Sequence, residues 1–153
     1  MALTIRRAVS DDEAALLPLA TRLTEGVAPW RSAADVEAAV VGWVETSLEA
    51  MSEPDHAVLV AEVEGRVIGF VTLSAGRHWS GETDASIGEL VVAPEAEGRG
   101  VGAALVEAVV EHARAAGYAR ISVSTGAANA RALRLYRRLG FVDEDVSLSR
   151  ALV

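Results

Sequence analysis

The stretch Glu89-Leu-Val-Val-Ala-Pro-Glu-Ala-Glu-Gly-Arg-Gly-Val-Gly-Ala103 limits the possible folds more than any other part of the chain. An apolar, β-branched run ends at Pro94, glycines follow at positions 98, 100 and 102, and an alanine- and valine-rich segment opens near Val101. That order predicts a strand, a tight turn and a helix. The helix has Leu105, Val106, Val109 and Val110 on one face and Gly117 as its stop signal. The next apolar run, Arg120 to Thr125, then has to lie parallel to the first strand, because a helical crossover joins them. Glycines let a backbone approach a ligand closely, and the unpaired N–H groups of a helix's first turn suit a phosphate.

Three readings of this turn compete. The simplest is a tight strand-to-helix connection with no ligand. Gly98-x-Gly100-x-x-Ala103 also fits the dinucleotide-binding pattern, which calls for an acidic residue about 20 positions on, at the end of the next strand. Arg120 to Thr125 ends without one, and too little chain follows for such a fold. A nucleoside-triphosphate loop would need Lys-Ser or Lys-Thr after the turn, and neither is present.

Glu89-Leu-Val-Val-x-Pro followed by Gly-Arg-Gly-Val-Gly resembles the acyl-CoA signature of the GCN5-related N-acetyltransferases (GNAT). Asn129-x-x-Ala132-x-x-Leu135-Tyr136-x-x-x-Gly140-Phe141 is similar to that family's last helix and following strand, at the right distance. The resemblance implies an α+β, three-layer fold with a mostly antiparallel sheet, helices on both faces, and a parallel strand pair splayed at the cofactor site. It implies acetyl-CoA as cofactor, with its pantetheine arm along the main chain of Leu90, Val91 and Val92. The pyrophosphate would rest on the turn from Glu97 through Gly98, Arg99, Gly100, Val101 and Gly102 to Ala103. Asn129 would touch the cofactor arm, cap the helix, or do both. Glu97 departs from the family pattern, which has Gln or Arg there, and a carboxylate at that point should weaken cofactor binding. Arg99 and Arg134 are possible phosphate partners or solvated surface. Dipole attraction supplies about 0.3–1 kcal/mol per interaction, so several donors have to share a phosphate.

Acyl transfer to an amine needs a base, a stabilised oxyanion and a proton for the leaving thiolate. Glu89 is the candidate base, its pKa raised by an otherwise apolar strand, or a carboxylate that only orients the ammonium. A backbone N–H near Val91 is the expected polariser of the thioester. The resemblance makes Tyr136 the proton donor to the thiolate, the alternative being a buried core tyrosine. Trp30 and His78 are candidate acceptor contacts. A non-catalytic acyl-CoA sensor is the competing function, and retention of both Glu89 and Tyr136 favours the enzyme.

The rest of the chain predicts one domain over residues 1–153. Leu3 to Ala8 reads as a strand, and Ser10-Asp-Asp-Glu13 starts a helix expected to reach about Leu23. Ser32 caps a second helix, whose Val36, Val40, Trp43, Val44 and Leu48 are expected in the core. Ala57 to Val63 and Arg66 to Leu73 form a hairpin about Glu64-Gly65, and a further strand starts near Ala85. Phe141 to Leu152 predicts a terminal hairpin around Asp143-Glu-Asp145, an acidic turn that with Glu82 and Asp84 either attracts a cationic acceptor or is simply a solvated loop.

The 153 residues contain no cysteine, which excludes disulfides, thiolate metal sites and a cysteinyl acyl-enzyme. A direct, ternary-complex transfer is therefore the economical mechanism. His56, His78 and His112 lack metal-ligand spacing, so no metal is expected. The formal net charge of −8 argues against a nucleic-acid partner. No signal peptide or membrane span is legible, which predicts a cytoplasmic protein with no membrane partner. The expected partner is a small-molecule or peptide amine, and a homodimer is possible.

Overall fold

The structure is a computed structural model that describes residues 2–153. A five-stranded sheet lies at its centre: β1 (Leu3–Arg7), β2 (His56–Val63), β3 (Arg66–Arg77), β4 (Thr83–Val92) and β5 (Ile121–Val123), in that spatial order. The first four strands pair antiparallel with their neighbours, and β5 runs parallel to β4. The helical crossover expected between the two parallel strands is α3 (Val101–Ala115).

Short turns account for the antiparallel part. Glu64 and Gly65 both take positive φ, 51° and 76°, the conformation a two-residue turn needs to match strand twist. Ser32 caps α2 (Ala33–Glu49) by accepting the Asp35 N–H at 3.3 Å. Val40, Val44 and Leu48 repeat every fourth residue and bury one stripe of that helix. Each such side chain contributes about 1.5–3 kcal/mol by leaving water.

The core has two halves. On one face of the sheet, Leu16, Ala20, Val44 and Leu48 pack on Val58, Val60, Phe70 and Val91. On the other, Leu105, Val106 and Val109 of α3, with Tyr136 of α4 (Ala130–Arg138), pack on Leu59, Val71, Leu73 and Ile87. Helices on both faces of a mixed sheet give the three layers the resemblance implies.

Three expectations need correction. The single helix expected from Ser10 to Leu23 is broken into a 3-10 turn (Ser10–Asp12), α1 (Glu13–Leu16) and a 3-10 segment (Leu17–Thr24). Pro18 has no N–H to donate back to the preceding turn, so the α-helical ladder loses a bond there. Trp43 is 55 % exposed, because it stands off the narrow stripe of Val40, Val44 and Leu48. The terminal hairpin does not form. Residues 141–153 contain no strand, and Arg137 draws Asp143 back onto α4 through bonds of 3.0 and 2.8 Å.

An ion cluster ties β1 to β2 and to the first helical turn. Arg6 donates to Asp12 at 2.8 and 2.9 Å and to Glu62 at 2.8 Å, and Asp12 also accepts the Val9 N–H at 2.8 Å. Asp12 is buried, and the hydrogen bond from Arg6 holds its carboxyl below the usual range. A depressed carboxylate stabilises the fold above its unfolded pKa and loses that effect as pH falls through the folded value. Arg6→Met should therefore cost about 1–2 kcal/mol at neutral pH, moderated by water at the partly exposed guanidinium. The difference from wild type should shrink below about pH 4. Urea unfolding at several pH values measures this, and a constant difference would show that Asp12 ionisation is not involved.

Candidate active site

The site begins with an irregularity in the β3–β4 ladder. Val71 pairs with Leu90 and Leu73 with Ile87, so Thr72 faces two residues, Gly88 and Glu89. This one-residue bulge reverses the alternation of β4. Before it, Ala85 and Ile87 face α3; after it, Val91 faces α2. Glu89 is carried to the α2 side with Val91, where Ser47 of α2 donates to both its carboxylate oxygens, at 3.2 and 3.0 Å.

Thr72 locks the bulge. Its hydroxyl accepts the Glu89 N–H at 2.8 Å and donates to the Glu89 carboxylate. Glycine is required at 88, since a Cβ there would come within 2.8 Å of the Thr72 hydroxyl oxygen. Glu89 is buried, and desolvation raises its pKa, partly offset by the hydroxyls of Thr72 and Ser47. Among the described residues it is a carboxylate without a cationic partner, held by two hydroxyls.

Beside Glu89 the sheet opens. β5 pairs with β4 only from Ala85 to Ile87, and β4 continues from Gly88 to Val92 with no strand on that side. The Ala93 N–H bonds to Ile68 O of the β3 side at 2.8 Å, which by alternation commits Val91 to β3 as well. The N–H and C=O groups facing the gap are therefore those of Leu90 and Val92. The open main-chain groups near Val91 are thus those of its two neighbours.

At the end of β4 the chain turns through Gly98 and Gly100, whose φ values of 73° and 79° favour glycine. The Ala104 N–H reaches Gly100 O at 3.0 Å, so those of Val101, Gly102 and Ala103 have no intrahelical acceptor. Gly102 packs close to Leu135 of α4, 3.4 Å from where a Cβ would stand. Open donors, left-handed glycines and the positive end of α3 fit a pyrophosphate.

Tyr136 lies on the other side of the sheet from Glu89, in the α3 core and edge-on to Phe141 at 5.4 Å between ring centroids. Burial pushes its phenol up to about 12. Asn129 caps α4 by accepting the Ala132 N–H at 3.1 Å. Arg99 and Arg134 are exposed and make no ion pair among the described residues. Trp30 is 68 % exposed in the loop before α2.

His78 does not join the site. It lies in the β3–β4 turn, six positions past Thr72 and so about 20 Å along the strand direction at the usual rise. There it approaches Glu144 and Asp145, so the acidic terminal turn gathers at that end of the sheet. Asp84 is buried in β4. Ser47 and Thr72 escaped the sequence reading. Thr72 carried no signal, being one polar residue in an apolar run, and Ser47 only the weak one of a hydroxyl beside an apolar helix stripe.

Comparisons with known proteins bear on the family and the fold. Residues 24–141 match the Acetyltransferase (GNAT) family. An uncharacterized N-acetyltransferase of Methanocaldococcus jannaschii is 32 % identical over 100 residues, covering 63 % of this chain and 43 % of that protein. A mycothiol acetyltransferase of Pseudarthrobacter chlorophenolicus is 36 % identical over 97 residues, covering 63 % of this chain and 30 % of its own length. The chain thus spans less than half of either relative. A PaiA N-acetyltransferase from Thermoplasma acidophilum, solved in complex with coenzyme A, superposes with a TM-score of 0.79 at 19 % identity, covering 96 % and 94 % of the two chains.

Glu89→Gln removes the buried charge while keeping the side chain's size. Because burial raises the folded pKa of Glu89, its favourable contribution is complete at low pH and is lost as pH rises through the folded value. The variant should melt above wild type at about pH 7, with the difference closing toward about pH 4. Thermal melts across that range test this, and a variant that melts lower at neutral pH would show that the charged form is the stabilised one.

Proposed function

The chain belongs to the Acetyltransferase (GNAT) family, and from that premise we propose an acetyl-CoA-dependent N-acetyltransferase that moves an acetyl group directly onto a primary amine of a small molecule or peptide. The observation that carries this reading is Glu89, a buried carboxylate held by the hydroxyls of Ser47 and Thr72, with no cationic partner among the described residues, where β4 and β5 part. A carboxylate destabilised by burial gains by taking a proton, which a base must do.

Acetyl-CoA would supply an activated acyl carbonyl and a thiolate leaving group. The turn from Glu97 to Ala103 would bind its pyrophosphate, and Leu90 and Val92 have free main-chain groups for the pantetheine amides. One of those N–H groups can polarise the carbonyl oxygen. Asn129, at the start of α4, adds a polar group on the same side. Glu89 takes the proton of the acceptor ammonium, directly or through water, from the α2 side. Trp30 supports an acceptor pocket on that side as an exposed indole in the loop leading to α2.

Tyr136 keeps its proton at neutral pH and donates it to the departing sulfur from the α3 side. A phenol near 12 is a weak acid in water, yet the desolvation that raises it raises a neighbouring thiolate too. The comparison that matters is made within one apolar setting. A homodimer belongs to the same reading, supported by Val146, Leu148 and Leu152, which are exposed on residues 141–153.

Tyr136→Phe should lower turnover by about one to three decades with the dissociation constant for acetyl-CoA nearly unchanged. Full activity in that variant would remove Tyr136 as the acid. The assay is amine-dependent release of free thiol from acetyl-CoA over a panel of amines, with no background from this cysteine-free chain. Release with one class of amine identifies the acceptor class. Silence across the panel, with acetyl-CoA bound, would favour a sensing domain.

A further inference from the structure

We propose that Glu97 is an internal stand-in for the phosphates of the cofactor, a carboxylate that clasps Arg22 and Arg131 across the mouth of the gap and releases them when acetyl-CoA enters. The proposal rests on the acetyl-CoA reading of the site. Arg22, from the 3-10 segment Leu17–Thr24, donates to the Glu97 carboxylate, and Nη1 of Arg131, from the first turn of α4, lies 2.7 Å from the same oxygen. Glu97 itself opens the phosphate turn.

Three elements therefore meet at one carboxylate: the loop after β4, the segment leading to α2, and the helix after β5. A second contact closes the same mouth. A Cβ on Gly126 would overlap the carbonyl oxygen of Gly26, and a Cβ on Gly26 would overlap Asn129. The loop that follows Arg22 thus touches the loop that follows β5, backbone to backbone.

The charges explain why this arrangement yields to a phosphate. Two guanidiniums and the positive end of α3 meet at Glu97, with the more exposed Glu25 3.4 Å from Arg22 as a second carboxylate, so the positive end of α3 remains unmatched. Planar guanidinium forks match phosphate oxygens as well as carboxylate ones, and a pyrophosphate brings more acceptors and more charge. Glu97 holds the two arginines in place beforehand, and its own attraction for them competes with the cofactor. Arg22 and Arg131 then serve the phosphates beside or in place of Arg99 and Arg134, which the sequence offers as phosphate partners or as solvated surface. Only 23 % of the Arg22 side chain and 30 % of the Glu97 side chain are exposed, so this pair is more than a solvated surface contact.

The test is calorimetric binding of coenzyme A and of acetyl-pantetheine, which lacks the phosphates, to wild type, Glu97→Gln, and Arg22→Met with Arg131→Met. Glu97→Gln should tighten coenzyme A about 2- to 10-fold, the range that freeing two partly exposed ion pairs supports. It should leave acetyl-pantetheine unchanged, and the gain should shrink in high salt. The double arginine variant should weaken coenzyme A alone. Weaker or equal binding of coenzyme A by Glu97→Gln would overturn the clasp, as would equal tightening of acetyl-pantetheine. Absence of coenzyme A binding in every protein would overturn the acetyl-CoA reading and the clasp with it.

Discussion

The bulge that sets Gly88 and Glu89 against Thr72 moves the alternation of β4 by one residue, and the rest of the site inherits that shift. In a regular strand Glu89 would face α3 with Ala85 and Ile87, away from Ser47 and Thr72. The bulge turns it toward Ser47 and turns the main chain of Leu90 and Val92 toward the gap. Both consequences come from one insertion, so side chain and backbone are placed together. The Thr72 hydroxyl makes the irregularity stable by satisfying the amide the ladder leaves unpaired. Gly88 makes it possible by leaving room for that hydroxyl.

A buried carboxylate is costly, and the way its cost is met bears on its chemistry. Arg6 compensates Asp12 with a full positive charge, which fixes Asp12 as an anion. Glu89 receives only hydroxyls, which lower its pKa less than burial raises it. The two acidic side chains have opposite shifts within one small fold. The paired one serves structure; the unpaired one is left able to exchange a proton.

What the sequence disclosed was local, and what it concealed depended on register. The strand, turn and helix from Glu89 to Ala103, the cap at Asn129 and the Glu64-Gly65 hairpin could be read because each is written in neighbouring residues. Thr72 and Ser47 could not, because nothing near them in the chain announces a bulge or says which helix face meets β4. Which main-chain groups near Val91 face the gap was hidden for the same reason: counting along a regular strand misses an inserted residue. The terminal hairpin failed differently. Val146 and Leu148 have strand-like spacing, yet both remain exposed, and the Arg137–Asp143 pair turns the preceding chain back onto α4. Spacing predicts a strand only where a partner edge is within reach.

Glu89 and Tyr136 pack into opposite halves of the core, which would separate them if the sheet were continuous. β5 leaves β4 after Ile87, just before the bulge, so the layer between the two halves is missing beside Glu89. An amine reaching the carboxylate from the α2 side and a thioester lying on the α3 side can then meet through the sheet rather than around it. Separation of the two groups also has a chemical use. An acid and a base in direct contact exchange their proton and cancel, whereas a base on one side and an acid on the other can act on the nucleophile and the leaving group of the same reaction. In the proposed reaction the bulge would supply the base and the splay the passage, and neither alone would make a site for acyl transfer.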